Sequence, residues 1–320
     1  MTPGAALLLA AAYTVALGAF GPRLLARLHD AARRAPGTAL LAVVALATSW
    51  AAALLSVGLL LLARVTGGLG LAALIELCVA TVCTVFGSPG DPNVSALAAL
   101  AAPAATLGRL ACCAATRGYR GWRWSSRHRA MLDHVATRRR VRGADVWLLP
   151  TGQASAYCVG GPGARIVLTQ GALDTLDGDQ LAAVVAHERA HLRGRHHLLL
   201  GWVRILDSAF PCVPLLRRAA PLTAELAEWA ADDRAACGHD RRVVARAIAA
   251  MAPAPGSAAL AAGGGEVVER VRRLVRPASG GPAAPRALTA TVAALATAAA
   301  ACVLLAPITA TSFGLTCGMV

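Results

Sequence analysis

The stretch His187-Glu188-Arg189-Ala190-His191 decides how this chain is read. It is an H-E-x-x-H pattern within a segment of helical periodicity. Two histidines four apart on a helix project from one face, one above the other, so both imidazoles can reach a single metal ion. Glu188 sits beside them, placed to take a proton from an attacking water. Just upstream, Leu176-Asp177-Gly178-Asp179-Gln180-Leu181 reads as a helix start, with Asp177 as cap and Gln180 completing a capping box. Leu181, Val184, Val185 and Leu192 then supply a buried stripe. Five residues with two free positions can arise by chance. The capped amphipathic helix around them is what favours a zinc site.

A catalytic zinc takes three protein ligands and keeps one position for water. The segment 222–233 offers the third. Pro221 and Thr223 suit a helix start and Gly238 its end. Glu228 and Asp232 lie four apart and share a face. Glu228 is expected to ligate the ion, one Zn2+ per chain, and Asp232 to accept a hydrogen bond from a ligand histidine's second nitrogen. Glu225 lies on that face too and remains a competing ligand. Taken alone, these acids fit a solvated helix face equally well.

Composition points to the membrane. Of 320 residues, 57% are hydrophobic and only 4% aromatic, above the apolar share of a soluble domain. Apolar stretches at 5–20, 38–63, 94–116 and 287–306 are expected to span. The first lacks the basic lead and cleavage site of a signal peptide and reads as a retained anchor. Residues 69–86 are apolar but contain Glu76, and are expected to lie on the membrane or against the helices. Arg23, Arg27, Arg33 and Arg34 mark the loop after the first helix as cytoplasmic, as do nine arginines against Asp133 between 117 and 142. An even number of crossings must separate those regions, giving four spans with the N-terminus outside. The expected fold class is a multi-pass α-helical membrane protein with an inserted α+β, zincin-like metallopeptidase domain. Its parts are a membrane region at 1–116, a cytoplasmic peptidase domain at 117–282, and a last helix with a short tail at 283–320.

The net charge is +14, and all 31 basic residues are arginine. The run 117–142 interleaves them with Trp122 and Trp124. Nucleic acid could use such a surface. Anionic lipid is the favoured partner, at about 1 kcal/mol per basic residue beside a membrane helix. The nine cysteines show no metal-binding spacing. Cys158, Cys212 and Cys237 are expected as reduced thiols, and Cys78, Cys83 and Cys317 lie on the expected outer side.

Residues 146–149 and 166–169 read as strands, with Tyr157 on another between them. An edge strand beside the metal helix would let an extended peptide add itself to the sheet. Tyr157 and His239 are the candidate oxyanion donors. His196 and His197, after the motif, are either extra ligands or, as favoured here, cations suited to the dipole at a helix end. Residues 210–214 read as an apolar turn touching the membrane.

The elements Ala156-Tyr157-Cys158, Arg165-Ile166-Val167-Leu168-Thr169 and Gly171-Ala172-Leu173 precede the metal helix, and Glu228 with Ala231-Asp232 follows it. Together they resemble the peptidase domain of the BlaR/MecR-type integral-membrane metallopeptidases, over about 147–274. More distantly they resemble the HtpX-type membrane proteases, with a similar H-E-x-x-H and E-x-x-x-D arrangement. The resemblance implies that His187, His191 and Glu228 hold zinc and that Glu188 is the general base. It implies a membrane-bound zinc endopeptidase cutting a cytoplasmic protein or peptide, by analogy a transcriptional repressor in signal transduction. The alternatives are an HtpX-like quality-control protease, or a non-catalytic signalling protein with a structural metal. Few residues follow the last expected span, so the penicillin-binding sensor of the antibiotic-sensing members is not expected.

Overall fold

The computed structural model describes residues 3–66, 94–252 and 258–276. Its first two helices are α1 (Pro3–Ala32) and α2 (Pro36–Thr66). Among the described residues, the stretches Gly4–Asp30 and Pro36–Leu61 are long and apolar enough to cross a membrane. Polar groups inside such a pair must satisfy each other. Trp50 Nε1 donates to the Thr14 carbonyl at 3.0 Å, and the Tyr13 and Ser49 hydroxyls meet at 2.9 Å. The expected span at 287–306 and the segment 69–86 lie outside the described residues.

Helix α3 (Val94–Val135) runs for 42 residues, about 63 Å at helical rise. The limit drawn at residue 116 falls inside it. The basic run is therefore divided. Its first part continues α3, and Thr137–Val141 forms a strand, β1, which the sequence reading did not anticipate. Charged side chains on both faces of that short edge strand hid its period of two. Arg109 breaks the apolar pattern of α3 for a visible reason: its Nε donates to the Ala209 carbonyl, where the helix His196–Ala209 ends. A cation suits the negative end of that helix.

Strand β1 pairs antiparallel with β2 (Ala144–Leu149) across Arg142 and Gly143, both at positive φ, as a two-residue hairpin turn requires. β3 (Ala156–Val159) and β4 (Arg165–Thr169) complete a sheet of order β1-β2-β4-β3, with β2 and β4 parallel. The expected strands at 146–149, 157 and 166–169 all fall within it. β3 is an edge strand. Leu132 of α3 covers one sheet face with Val159 and Val167.

The short α4 (Gln170–Thr175), capped by Thr169, leads to α5 (Gly178–Arg193), α6 (His196–Ala209), α7 (Pro214–Ala236), α8 (Arg241–Ala250) and α9 (Ala258–Val275). The start expected at Pro221 is incorrect. α7 begins two turns earlier with Pro214 in its first turn, and Pro221 lies inside it. Burial explains the extension. Leu215, Leu216, Ala219 and Leu226 join Leu25, Leu28, Val43, Leu46 and Trp50 of the α1/α2 hairpin in one core. The apolar turn at 210–214 packs there too, with the Phe210 ring 5.2 Å from that of Trp50. A second core fills the space between sheet and α5, through Val146, Leu148, Leu168, Leu181, Val184 and Val185. α5 and α7 thus each stand on their own core and meet over the site.

Candidate metal centre

Helix α5 is built as its sequence suggests. The Asp177 side chain accepts from the Gln180 backbone at 2.8 Å, and the Gln180 side chain accepts from the Asp177 backbone at 3.2 Å. With the start held and the apolar stripe turned to the sheet, His187 and His191 face α7, and Glu188 meets Cys158 of β3.

Three nitrogen and oxygen positions converge there. His187 Nε2 lies 3.1 Å from His191 Nε2, Glu228 Oε2 lies 3.5 Å from His187 Nε2, and Glu228 Oε1 lies 3.3 Å from His191 Nε2. A tetrahedral ion with bonds of about 2.05 Å separates its ligand atoms by about 3.3 Å. The triangle therefore has the dimensions of one face of a zinc coordination shell, and its nitrogen–carboxylate donor set suits that metal. Glu225, the competing ligand, instead lies 3.1 Å from His29 Nε2 on α1.

The remaining nitrogens of both histidines are held from behind. Fully buried Asp232 places Oδ1 at 3.0 Å from His187 Nδ1, a close contact set obliquely to the ring. Arg270 of α9 grips Asp232 with two bonds of 2.9 and 2.7 Å and reaches Glu228 Oε2 at 3.0 Å. On the other side, His196 Nδ1 lies 2.9 Å from His191 Nδ1. These contacts leave the two Nε2 atoms facing the centre.

Electrostatics follow from this packing. Burial would raise the Glu228 carboxyl, but His187, His191 and Arg270 hold it well below the ordinary range. The same contest leaves Asp232 low, with Arg270 and His187 outweighing burial. Glu188 moves the other way. Burial raises it, and the neighbouring histidines only partly offset that. A carboxyl so raised holds a proton more readily, as a group that both takes and returns one should. The Cys158 thiol, which donates to Glu188, is pushed up to about 12, first by burial and then by that carboxylate.

The two expected oxyanion donors differ in position, for Tyr157 lines the cavity at the site but has its hydroxyl engaged elsewhere. Tyr157 packs with Val159 and Val167 on the α3 side of the sheet, its hydroxyl 2.8 Å from His128 Nε2. His239 lies in the turn after α7 and does not line the cavity at the site. Strand alternation explains Tyr157: its neighbours Ala156 and Cys158 take the face towards α5. His196 also departs from expectation. Gly194 ends α5, Arg195 turns at φ 49°, and His196 opens α6 rather than trailing the motif helix. A Cβ on Gly194 would sit 2.4 Å from His196 Nε2, so glycine makes room for the ring. Burial first, and then His191, lowers His196 to about 4. Its place at the start of α6, facing the His191 ring, does not fit a cation at a helix C-terminus.

Sequence reasoning missed Arg270 and the bond from His196. A fully buried Asp232 demands a cation, but Arg270, Arg272 and Arg273 all lie on α9 and only the packing selects among them. His196 carried the signal of a glycine shortly after the motif, which allows the chain to turn back.

The site opens into a cavity of about 440 Å³ between β3, α5, α8 and α9. Residues 126–220 match the family model described as Peptidase family M48, a range that includes the sheet and the H-E-x-x-H motif and stops short of Glu228. The chain is similar to a protein named Protease HtpX homolog from Aquifex aeolicus (strain VF5), 35% identical over 71 residues, which are 22% of this chain and 24% of that protein. It is also similar to a Protease HtpX homolog from Thermoplasma acidophilum, 34% identical over 68 residues, 21% of this chain and 22% of that one. A third, from Salinibacter ruber, is 34% identical over 70 residues, 21% and 25% of the two chains. The chain spans about a quarter of the length of the curated relatives it matches. No solved structure matches it with significance. The relatives carry the name of the more distant expected resemblance. The BlaR/MecR-type expectation, and the repressor substrate that came with it, gain no support from them. The His187–His191–Glu228 triangle could hold a metal ion, the matching family model and relatives are of peptidases, and two apolar helices point to a membrane location.

Proposed function

We propose that the chain is a membrane-anchored zinc endopeptidase of the HtpX-like kind, with His187, His191 and Glu228 as ligands and Glu188 as general base. The observation that carries this reading is the ligand triangle, whose sides of 3.1, 3.3 and 3.5 Å suit a zinc ion, with Glu188 next in chain to one of its corners. Bound zinc supplies Lewis acidity and brings the pKa of water down to about 7.

The chain's own residues do the rest. β3 offers an unpaired edge to an extended peptide, so main-chain hydrogen bonds can align the scissile carbonyl over the site. Glu188 takes the proton of the attacking water and returns it to the leaving amine, a cycle that suits its raised pKa. Asp232 and His196 keep the ligand rings from rotating. The α1–α2 turn supports a site on the arginine-rich side of the membrane, for Arg33 pairs with Glu269 of α9 at 3.0 Å. By the arginine distribution we place that side in the cytoplasm, within a multi-pass chain. Membrane-associated proteins are the substrate reading that the HtpX likeness favours.

The test is the purified full chain carrying Glu188→Gln. Bound zinc should remain, while hydrolysis of a denatured protein substrate falls about 10²–10⁴-fold. Unchanged hydrolysis would remove Glu188 from the mechanism.

A further inference from the structure

The lining of the cavity at the candidate metal centre falls into two parts of opposite character. One carries His187, Glu188, His191, Glu228 and Arg270. The other is walled by Val184, Val244, Ala247, Ile248, Met251 and Val267 from three helices. From this division we infer that the apolar part is the specificity pocket, taking an aliphatic, methionine or phenylalanine side chain next to the scissile bond. The inference rests on the peptidase reading and names its substrate class.

Three observations carry it. First, the wall is continuous with the substrate's path. Ala154, Ser155 and Ala156 line the same cavity beside β3, so a peptide laid on that edge enters the cavity that the metal triangle and the apolar wall also line. Side chains alternate along such a strand, and one turned towards α8 meets Val244, Ala247, Ile248 and Met251.

Second, the arginine that lines the cavity is already committed. Arg270 is bound by Asp232 and Glu228, and so offers little attraction to an acidic substrate residue. The arginines of α8 point elsewhere: Arg242 and Arg246 are exposed, while Val244 and Ala247 on the opposite face are buried. An acidic side chain entering the apolar part would lose its water and find Arg270 already paired.

Third, the apolar lining differs in exposure. Ala183 and Ala247 are buried, while Ile248, Met251 and Val267 are half-buried and so more accessible to an occupant. Met251 is half-buried and follows the last turn of α8. An unbranched thioether there can adjust to occupants of different shape, which favours a class of apolar residues over one type.

The experiment uses the full chain in detergent with zinc and a peptide pool randomised around a central position, with products read by mass spectrometry. Cleaved bonds should be flanked on one fixed side by Leu, Ile, Met, Val or Phe, at least about tenfold over Asp, Glu, Lys or Gly. Met251→Glu should erase that preference and enrich Arg at the same position. Met251→Ala, a milder change, should shift it towards larger apolar residues. An unchanged preference in both variants, or a wild-type preference for a charged residue, overturns the pocket.

Should wild type cut no peptide at all, the peptidase reading fails, and the pocket is judged by binding alone. Fluorescein-labelled peptides are titrated onto the Glu188→Gln chain and followed by anisotropy. Binding about tenfold tighter for Leu than for Asp at the central position supports the pocket. Equal affinities overturn it.

Discussion

The two helices that build the metal centre came to it by different routes. α5 is specified by its neighbours in sequence: a capping box starts it, a hydrophobic stripe seats it on the sheet, and Gly194 ends it. α7 is specified by partners far away in the chain. Its first half is held by the α1/α2 hairpin, and Asp232 in its second half is held by Arg270, 38 residues on. Local code thus places the motif, and long-range packing brings it the carboxylate proposed as third ligand. A site assembled this way should tolerate loss of a cap better than loss of a distant partner.

The sharpest way to break that contrast is at the triangle, where both helices contribute. His191→Ala removes one corner and should abolish hydrolysis, by about 10³-fold or more, with zinc lost on dialysis against a weak chelator. Metal analysis of the dialysed chain checks it. A chain that keeps both zinc and activity would mean that the triangle is not the centre.

Arg270→Met probes the long-range side. It leaves Asp232 buried without its cation, which should cost about 3–5 kcal/mol. Thermal unfolding in detergent would show the drop, and Asp232→Asn in the same chain should recover part of it. A loss no greater than that from removing a surface pair would mean that α7 does not depend on α9.

His196→Ala lies between the two helices in kind, because His196 opens α6 yet serves the motif of α5. Zinc affinity in a chelator competition should fall about 10–100-fold, as for other groups that orient a ligand imidazole from behind. His197→Ala is the control and should leave affinity unchanged. Equal effects from the two would reduce His196 to a packing residue.

The smallest effect belongs to the local side. Asp177→Ala removes the cap of α5 and should lower stability by about 1 kcal/mol, with zinc affinity unaltered. Denaturant melts of the two chains measure the difference. A loss approaching that of Arg270→Met would show that α5 depends on its start more than its core.

How much was legible can be seen residue by residue. Asp177, Gln180, His187, Glu188 and His191 were readable because a helix brings i, i+3 and i+4 together without help from the fold. Strands β2, β3 and β4 were readable from short β-branched and aromatic runs between turns. β1 was not, since Arg138, Arg139 and Arg140 pair with a neighbour while showing no apolar face. The start of α7 was misplaced because Pro221 looks like a first-turn residue. Leu215 and Leu216 carry the helix through that position once the hairpin covers them. Tyr157 was offered as a donor because sequence gives the alternation of a strand without saying which face meets the metal.

Sequence alone determined the chemistry on offer: an H-E-x-x-H helix with its cap, a pair of acids four apart, and apolar stretches of membrane length. Each is a pattern of period 3.6 or 2, or a count of apolar residues, and such patterns act over a few residues. Tertiary structure decided which acid joined the histidines, sending Glu228 to the centre and Glu225 to His29. It also turned His196 back onto His191 and chose Arg270 to neutralise Asp232. The physical reason is burial. A charge or imidazole taken from water must find its partner in space, and only the packed core sets where that partner stands.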